Sequence, residues 1–270
     1  MFSSIDYDLL TSVVVYLKVK NIKLENHFWL MKTNNFKVFA EYYDRIYLNR
    51  KDYEKEAKIV KGIIRQFEKK QSKTLLDVGC GTGEHLKYLS LDFQCNGIDI
   101  NKIMIKTARN KVPSAKFEVA NMINFRLKET FDVIICLFSS IGYVLDLNNL
   151  IKTLENFYEH LNEKGLVIVE PWIFKKDFKK GYIGLDTYED EKLKFVRMAT
   201  SKIVGSRWIV FMHYLVGEKG KISYSREVHK MLTLNCPDYV KAFGEAGFKD
   251  TQCLAENLWE NCRGLFVTTK

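Results

Sequence analysis

Proline is scarce, with 3 residues in 270, and no stretch of the chain is low in complexity. With 47% hydrophobic and 28% charged residues besides, the composition excludes the low-hydrophobicity signature of a disordered chain. Long apolar runs are missing too. The segment SVVVYL at 12–17 is far short of the roughly 20 residues that span a bilayer, so no membrane association is expected. No CxxC pair occurs among Cys80, Cys95, Cys136, Cys236, Cys253 and Cys262, and no basic stretch leads into an apolar run with a cleavage site. Reduced thiols in a cytoplasmic protein are expected. His213 and His229 stand at no metal-ligand spacing from acids or cysteines; no metal is implied, and both read as structural or substrate-edge residues.

What the chain does have is an excess of positive charge, +9. Its lysines, among them Lys69, Lys70, Lys175, Lys176, Lys179 and Lys180, are spread along the chain among Ile and Asn. That dispersal fits a solvated surface, and no nucleic-acid partner is expected. The length suits one domain, or one domain carrying a sizeable insertion.

Residues 1–32 do not join the later pattern and read as an N-terminal extension. From Asp52, a candidate N-cap, apolar residues recur at Tyr53, Ala57, Val60, Ile64 and Phe67, which predicts a helix. The strand-like runs TLLDVG, QCNGIDI, KFEVA, FDVIICLF and GLVIVEP then alternate with helical stretches near 84–91, 102–110 and 147–162. Such alternation predicts an α/β fold with a mostly parallel sheet and helices on both faces. Beyond Pro171 the rhythm changes to YIGLDTYE, KFVRMATSKIVG, RWIVFMHYLVG and KISYSREVHKMLTL, with turn residues between them. These predict antiparallel strands inserted before a last αβ unit, whose helix lies in CPDYVKAFGEAGF. The expected layout is a core with N-terminal lid helices over 33–170, a substrate insertion over 171–236, and the last helix and strands of the core over 237–270.

The segment LLDVGCGTGEHLKYL at 75–89 carries the chemistry. A strand ending in Asp77 and Val78, a loop of Gly79, Gly81 and Gly83, and a helix from Glu84 place unhindered backbone at the carboxyl end of a parallel strand, where open α/β sheets bind ligands. A dinucleotide loop wants G-x-G-x-x-G, and Glu84 stands where its last glycine belongs. An acid beside that helix start suits a net-cationic ligand better than a pyrophosphate, and S-adenosylmethionine is such a ligand. Asp77 then faces its amino-acid end. Asp99, about twenty residues after the first glycine, suits the ribose hydroxyls. Met104 would lie on the adenine face, and Asn121 would accept from the adenine amino group. Each has a plainer alternative: a strand-end cap for Asp99, core packing for Met104, a turn for Asn121.

These segments resemble the class I S-adenosylmethionine-dependent methyltransferases, and more narrowly the nucleotide-sugar N,N-dimethyltransferases that finish 3-amino-deoxysugars of the desosamine and mycaminose type. The likeness runs from about Phe36 to Val267 and rests on YDRIY, KDYEKEA, LLDVGCGTGEHL, FDVIICLFSSIGYV, VEPWIF with GYI, HYLVGEKGKISYSREVHKMLTL and RGLFV. It implies a Rossmann-like fold with a seven-stranded, mostly parallel sheet, S-adenosyl-L-methionine as cofactor, and direct transfer of methyl to the amine of a nucleotide-linked amino-sugar. It also implies that Tyr43 and Tyr53 close over cofactor and amino-sugar, with Cys80, Ile100, Met122 and Leu137 completing the cofactor site. Phe138, Ser139 and Ser140 would line the methyl-transfer site, Tyr143 and Glu170 would act there, Trp172 and Tyr182 would border the sugar, and Arg263 would meet the diphosphate. Core packing is the plainer role for Phe138 and Trp172. The chain departs from the family in having Asn121 for an acid, ENC before Arg263, and Asn35 and Phe36 where an aromatic lid residue is usual. Methylation of another small-molecule amine or hydroxyl, and a non-catalytic cofactor-binding module, keep the same cofactor site. A monomer or a homodimer is expected.

Amine methylation needs a neutral lone pair held in line with the donor. Positioning can account for roughly 7–11 kcal/mol of barrier, against about 10²–10⁴-fold from a general base. The proton of the amine can leave to solvent, or through Tyr143 or Glu170. If Asp99 holds the ribose, Asp99→Ala abolishes measurable binding of S-adenosylhomocysteine in calorimetric titration; unchanged affinity would remove the assignment.

Overall fold

The computed structural model describes residues 37–48, 50–68, 71–254, 258–259 and 262–270. The extension at 1–32, with Asn35 and Phe36, lies outside the described residues.

Among the described residues two helices precede the sheet, α1 (Lys37–Tyr47) and α2 (Tyr53–Phe67). Asp52 caps α2 by accepting from the Lys55 N–H at 2.9 Å, and the apolar face of α2 buries Tyr53, Ala57, Val60, Ile63 and Ile64. There follow β1 (Thr74–Val78), α3 (Glu84–Leu89), β2 (Gln94–Asp99), α4 (Lys102–Lys111), β3 (Lys116–Val119), β4 (Phe131–Cys136), α5 (Leu147–His160) and β5 (Leu161–Val169). The helix expected to reach residue 162 stops at His160, because Leu161 turns to extended backbone and pairs with Phe131 of β4.

Four long strands come next: β6 (Ile183–Glu189), β7 (Leu193–Val204), β8 (Arg207–Glu218) and β9 (Lys221–Leu232). The chain ends in α6 (Cys236–Glu245), β10 (Lys249–Leu254) and β11 (Leu265–Thr269). The main sheet has the order β10-β11-β5-β4-β1-β2-β3. β1 to β5 are parallel neighbours, whereas β11 runs antiparallel to β5 and to β10. The sheet is the seven-stranded, mostly parallel one expected of the Rossmann-like methyltransferase fold. Strand order reverses between β1 and β4, which opens the crevice where such sheets take ligands.

Alternate strand residues build two cores. On one face Leu75, Cys95, Val133, Ile135 and Ile168 pack under α2, α3 and α4. On the other, Leu76, Ile134, Val167 and Phe266 meet Leu150, Leu154 and Phe157 of α5 and Tyr239 and Phe243 of α6. β6 to β9 form a second, antiparallel sheet in sequence order. The two-residue turn between β8 and β9, Lys219-Gly220, has positive φ at both residues, as a hairpin matched to strand twist requires. The inner face of this sheet buries Phe195, Tyr214 and Val216 against Tyr42 and Ile46 of α1. Farther along, Trp208, Val210 and Met231 pack with Tyr143 and Trp172. No helix among the described residues is long and apolar enough to cross a membrane.

One carboxylate ties the starts of three strands. Asp132 Oδ2 accepts from the Lys73 and Thr74 N–H groups at 2.9 and 3.1 Å, and Oδ1 accepts from Asn162 Nδ2 at 2.9 Å. Asp132→Ala leaves two backbone donors unpaired and should lower unfolding stability by about 2–4 kcal/mol, as read by urea denaturation.

Candidate active site

β1 delivers Asp77 to the crevice and the chain then turns sharply. The Gly79 and Cys80 N–H groups donate to the Ile98 carbonyl at 2.8 and 3.0 Å, which lashes the loop to β2. Gly79 has φ +75°, and a Cβ there would stand 2.7 Å from the Ser140 Cβ, so only glycine fits. Gly81 has φ +54° and open space where a Cβ would point, which leaves backbone bare to a ligand. Gly83, also at positive φ, forms the N-cap of α3.

Asp99 closes the second strand. One carboxylate oxygen accepts from the Gly81 N–H at 3.0 Å, the other from the Asn101 N–H at 2.7 Å. The acid therefore braces the glycine loop against the start of α4, and burial raises it despite those two donors. Asp77 has no such help. Its Oδ2 is buried without a hydrogen-bond partner, and burial, with the Asp99 charge behind it, pushes the carboxyl up to about 8.

The loop after β4 is strained. Phe138 and Ser139 both have left-handed backbone, φ 50° and 62°, which costs of order 1–3 kcal/mol each. Three contacts hold it. Glu170 Oε2 accepts from the Phe138 N–H at 2.7 Å, the Ser139 hydroxyl donates to the Pro171 carbonyl at 2.8 Å, and the Ser140 hydroxyl donates to the Gly79 carbonyl at 3.2 Å. The polar atoms of Ser139, Ser140 and Glu170 thus shape the site. Burial pushes Glu170 up to about 7 against the pull of Lys51 and the Phe138 N–H.

These elements surround a pocket. Tyr43, Tyr53, Asp77, Gly79, Cys80 and Gly81 line it from one side and Leu137, Phe138 and Ser140 from another. Burial raises Tyr43 and Tyr53 and holds the Cys80 thiol well above its ordinary range. Met122 reaches the same loop, its Cε 3.7 Å from where a Gly79 Cβ would be. The remaining sequence-derived candidates lie farther out. Ile100 is 69% exposed just past Asp99, whereas Met104 is buried in the first turn of α4. Asn121 Oδ1 accepts from the Ile123 N–H at 3.0 Å, the turn alternative. Trp172 stands edge-on to Trp208 at 6.0 Å, and its indole N–H has no partner among the described residues. Tyr182 is 64% exposed beside β6. Arg263 lies in the coil before β11, and its charge reaches Glu170.

Glu84, read from the sequence as the acid at the helix start, lines the pocket, and so do Thr82 and His85, which were not singled out in the sequence. The Thr82 hydroxyl donates to Asp44 at 2.6 Å, and Lys111 pairs with both Asp44 and Glu84, which fastens α1 to the glycine loop. Lys51 pairs with Glu56 at 3.0 Å, and Glu56 meets His85 Nε2 at 2.9 Å, while burial lowers His85. Lys51 Nζ also lies 3.7 Å over the Phe138 ring. Tyr47 completes the aromatic wall, 5.0 Å from Phe138 and 4.7 Å from Tyr43. KDYEKEA was visible as a motif; that its Lys51 and Glu56 turn inward was not.

A methyltransferase-domain family matches residues 75–165. The dTDP-3-amino-3,4,6-trideoxy-alpha-D-glucopyranose N,N-dimethyltransferase of Streptomyces venezuelae is 32% identical, over 78% of this chain and 90% of that protein. The dTDP-3-amino-3,6-dideoxy-alpha-D-glucopyranose N,N-dimethyltransferase of Streptomyces fradiae is 34% identical, over 77% and 82%. The chain is a methyltransferase of this family. Its structure superposes on that of Streptomyces venezuelae DesVI with a TM-score of 0.78 at 32% identity, covering 85% of this chain and 97% of the other. For S-adenosylmethionine-bound CalS10, an amino pentose methyltransferase from Micromonospora echinaspora, the TM-score is 0.75 at 29% identity, covering 87% and 97%.

S-adenosyl-L-methionine is the methyltransferase's cofactor, and the pocket fits it. A buried carboxylate oxygen without a partner and open backbone at Gly81 answer a net-cationic ligand with an amino-acid end. With its carboxyl pushed up to about 8, Asp77 is largely protonated near pH 7, and if it meets the cationic end of the cofactor its ionised form is favoured, so that binding releases a proton. Affinity for the cofactor should therefore rise between about pH 6 and pH 8, by at most about tenfold per unit, and level off above. Calorimetry across that range checks it; Asp77→Asn should flatten the profile.

Proposed function

We propose that the enzyme transfers methyl from S-adenosyl-L-methionine to the amino group of a nucleotide-linked amino-deoxysugar. The observation that carries this reading is the antiparallel sheet. Its inner face sits on α1 and on the turn that bears Tyr143, beside the cofactor crevice, and the relatives that share the whole span are named for that reaction.

When bound, the cofactor supplies an electrophilic methyl group on a sulfonium. The chain's own residues bind and orient. Asp77 meets the amino-acid end, Asp99 the ribose hydroxyls, and the backbone at Gly79, Gly81 and Gly83 lies along the ligand. Ile100 and Met122 flank the adenine, with Met104 behind them, Leu137 beneath and Asn121 at the amino edge. Tyr43, Tyr53 and Phe138 form a wall that excludes water, which an in-line transfer to a neutral amine requires. Ser139, Ser140 and Glu170 hold that wall in place. The unpartnered indole N–H of Trp172 is a donor for the sugar, Tyr182 borders it, and Arg263 meets the diphosphate. Residues 171–236 then serve as the acceptor-binding insertion, and the reaction belongs in the cytoplasm.

Mass spectrometry of products from a panel of nucleotide-linked amino-sugars, each with its nucleotide-free counterpart, tests this. One or two methyl groups should appear on the amine of a nucleotide-linked member and vanish when the nucleotide is removed. Equal turnover of free amines or hydroxyls would overturn the substrate class.

A further inference from the structure

Tyr143 connects the pocket to a polar group buried in the second sheet. Its hydroxyl lies 2.9 Å from Nδ1 of His229, and Nε2 of His229 lies 3.4 Å from Glu227 Oε2. His229 and Glu227, two residues apart on β9, are each 1% exposed. Val210 stands opposite His229 and Met212 opposite Glu227, while the Tyr214 hydroxyl donates to Glu227 at 3.2 Å. Burying an imidazole and a carboxylate costs desolvation that apolar side chains would not incur, and the partners that offset it here are Tyr143, Tyr214 and each other. On its other side Tyr143 lies within electrostatic reach of Tyr43, which lines the pocket, and of Asp99. Hydrogen-bonding distances therefore link Tyr143 through His229 to Glu227, and Tyr143 stands on the same short 3₁₀ turn as the pocket residue Ser140.

Resting on the amino-sugar reading above, we propose that Tyr143, His229 and Glu227 form a relay that takes a proton from the bound amine before methyl transfer. A protonated amine has no lone pair with which to attack. Its N–H bond breaks and the electron pair stays on nitrogen, while the proton passes to the Tyr143 oxygen. The hydroxyl proton of Tyr143 passes to Nδ1 of His229, and the Glu227 carboxylate holds the imidazolium. The proton returns to solvent by the same path when the pocket empties. Tyr143 is the member that meets the amine; His229 and Glu227 are positioning residues. The other groups that face this line are Tyr214 of β8, whose hydroxyl donates to Glu227 at 3.2 Å, Arg197 of β7, and Tyr47 of α1, which accepts from Arg197 at 3.1 Å. Glu170 is already committed, because protonating it would weaken the bond that holds the Phe138 loop.

The test is the pH profile of kcat/KM for the amine acceptor in the wild type, in Tyr143→Phe and in His229→Gln. Both variants should fall about 10²-fold below wild type near pH 7, and the deficit should shrink toward nothing by about pH 9.5, where the free amine is already neutral. Affinity for S-adenosylhomocysteine should be unchanged in Tyr143→Phe, which decides the matter if His229→Gln does not fold. In enzyme labelled with ¹³C-histidine and loaded with S-adenosylhomocysteine, adding the amine near pH 7 should shift one imidazole to its protonated position in the wild type and none in Tyr143→Phe. A deficit constant with pH, or an imidazole that never responds, would overturn the relay and leave the substrate class standing. A wild type that methylates no nucleotide-linked amine would overturn the substrate class and the relay with it.

Discussion

The site is organised around one hydrogen bond, from the Phe138 N–H to the Glu170 carboxylate. Two successive side-chain-bearing residues in left-handed backbone do not persist unaided. Held there, Phe138 presents its ring to Tyr43, Tyr47 and Lys51, and the turn that follows brings Ser140 onto the glycine loop. The carboxylate itself sits at the end of β5, in register with the end of β4 through the Glu170 N–H bond to the Cys136 carbonyl. Sheet pairing thus sets the loop, and the loop sets the pocket wall.

Electrostatics follow from the same burial. Asp77, Asp99 and Glu170 are all raised by removal from water, and Lys51 and Arg263 pull Glu170 part of the way back. The cofactor side of the crevice thus gathers two acids raised by burial, Asp77 and Asp99, although the molecule as a whole carries +9. Buried acids at the glycine loop favour a cation there over a pyrophosphate, whatever the net charge of the molecule.

Much of this was legible in the chain. Glycines at 79, 81 and 83, an acid at the end of each of the first two strands, and the alternation of strand and helix obey rules that act over a few residues, so the crevice and its cofactor could be read directly. The antiparallel run after Pro171 was legible for the same reason. What could not be read depends on pairs far apart in the chain with no periodicity to mark them: Arg197 with Tyr47, Lys111 with Asp44, Tyr143 with His229. Side chains with two uses were ambiguous as well. Asn121 spends its carbonyl oxygen on a turn, and Trp172 packs on Trp208. His229, classed from spacing as structural or substrate-edge, has a fixed partner in Tyr143, and spacing alone could not reveal it.

Helix α1 touches the glycine loop through Asp44 and the second sheet through Tyr42, Ile46 and Tyr47. It is a shared strut between the cofactor crevice and the antiparallel sheet. A shift of this helix would therefore move both surfaces at once.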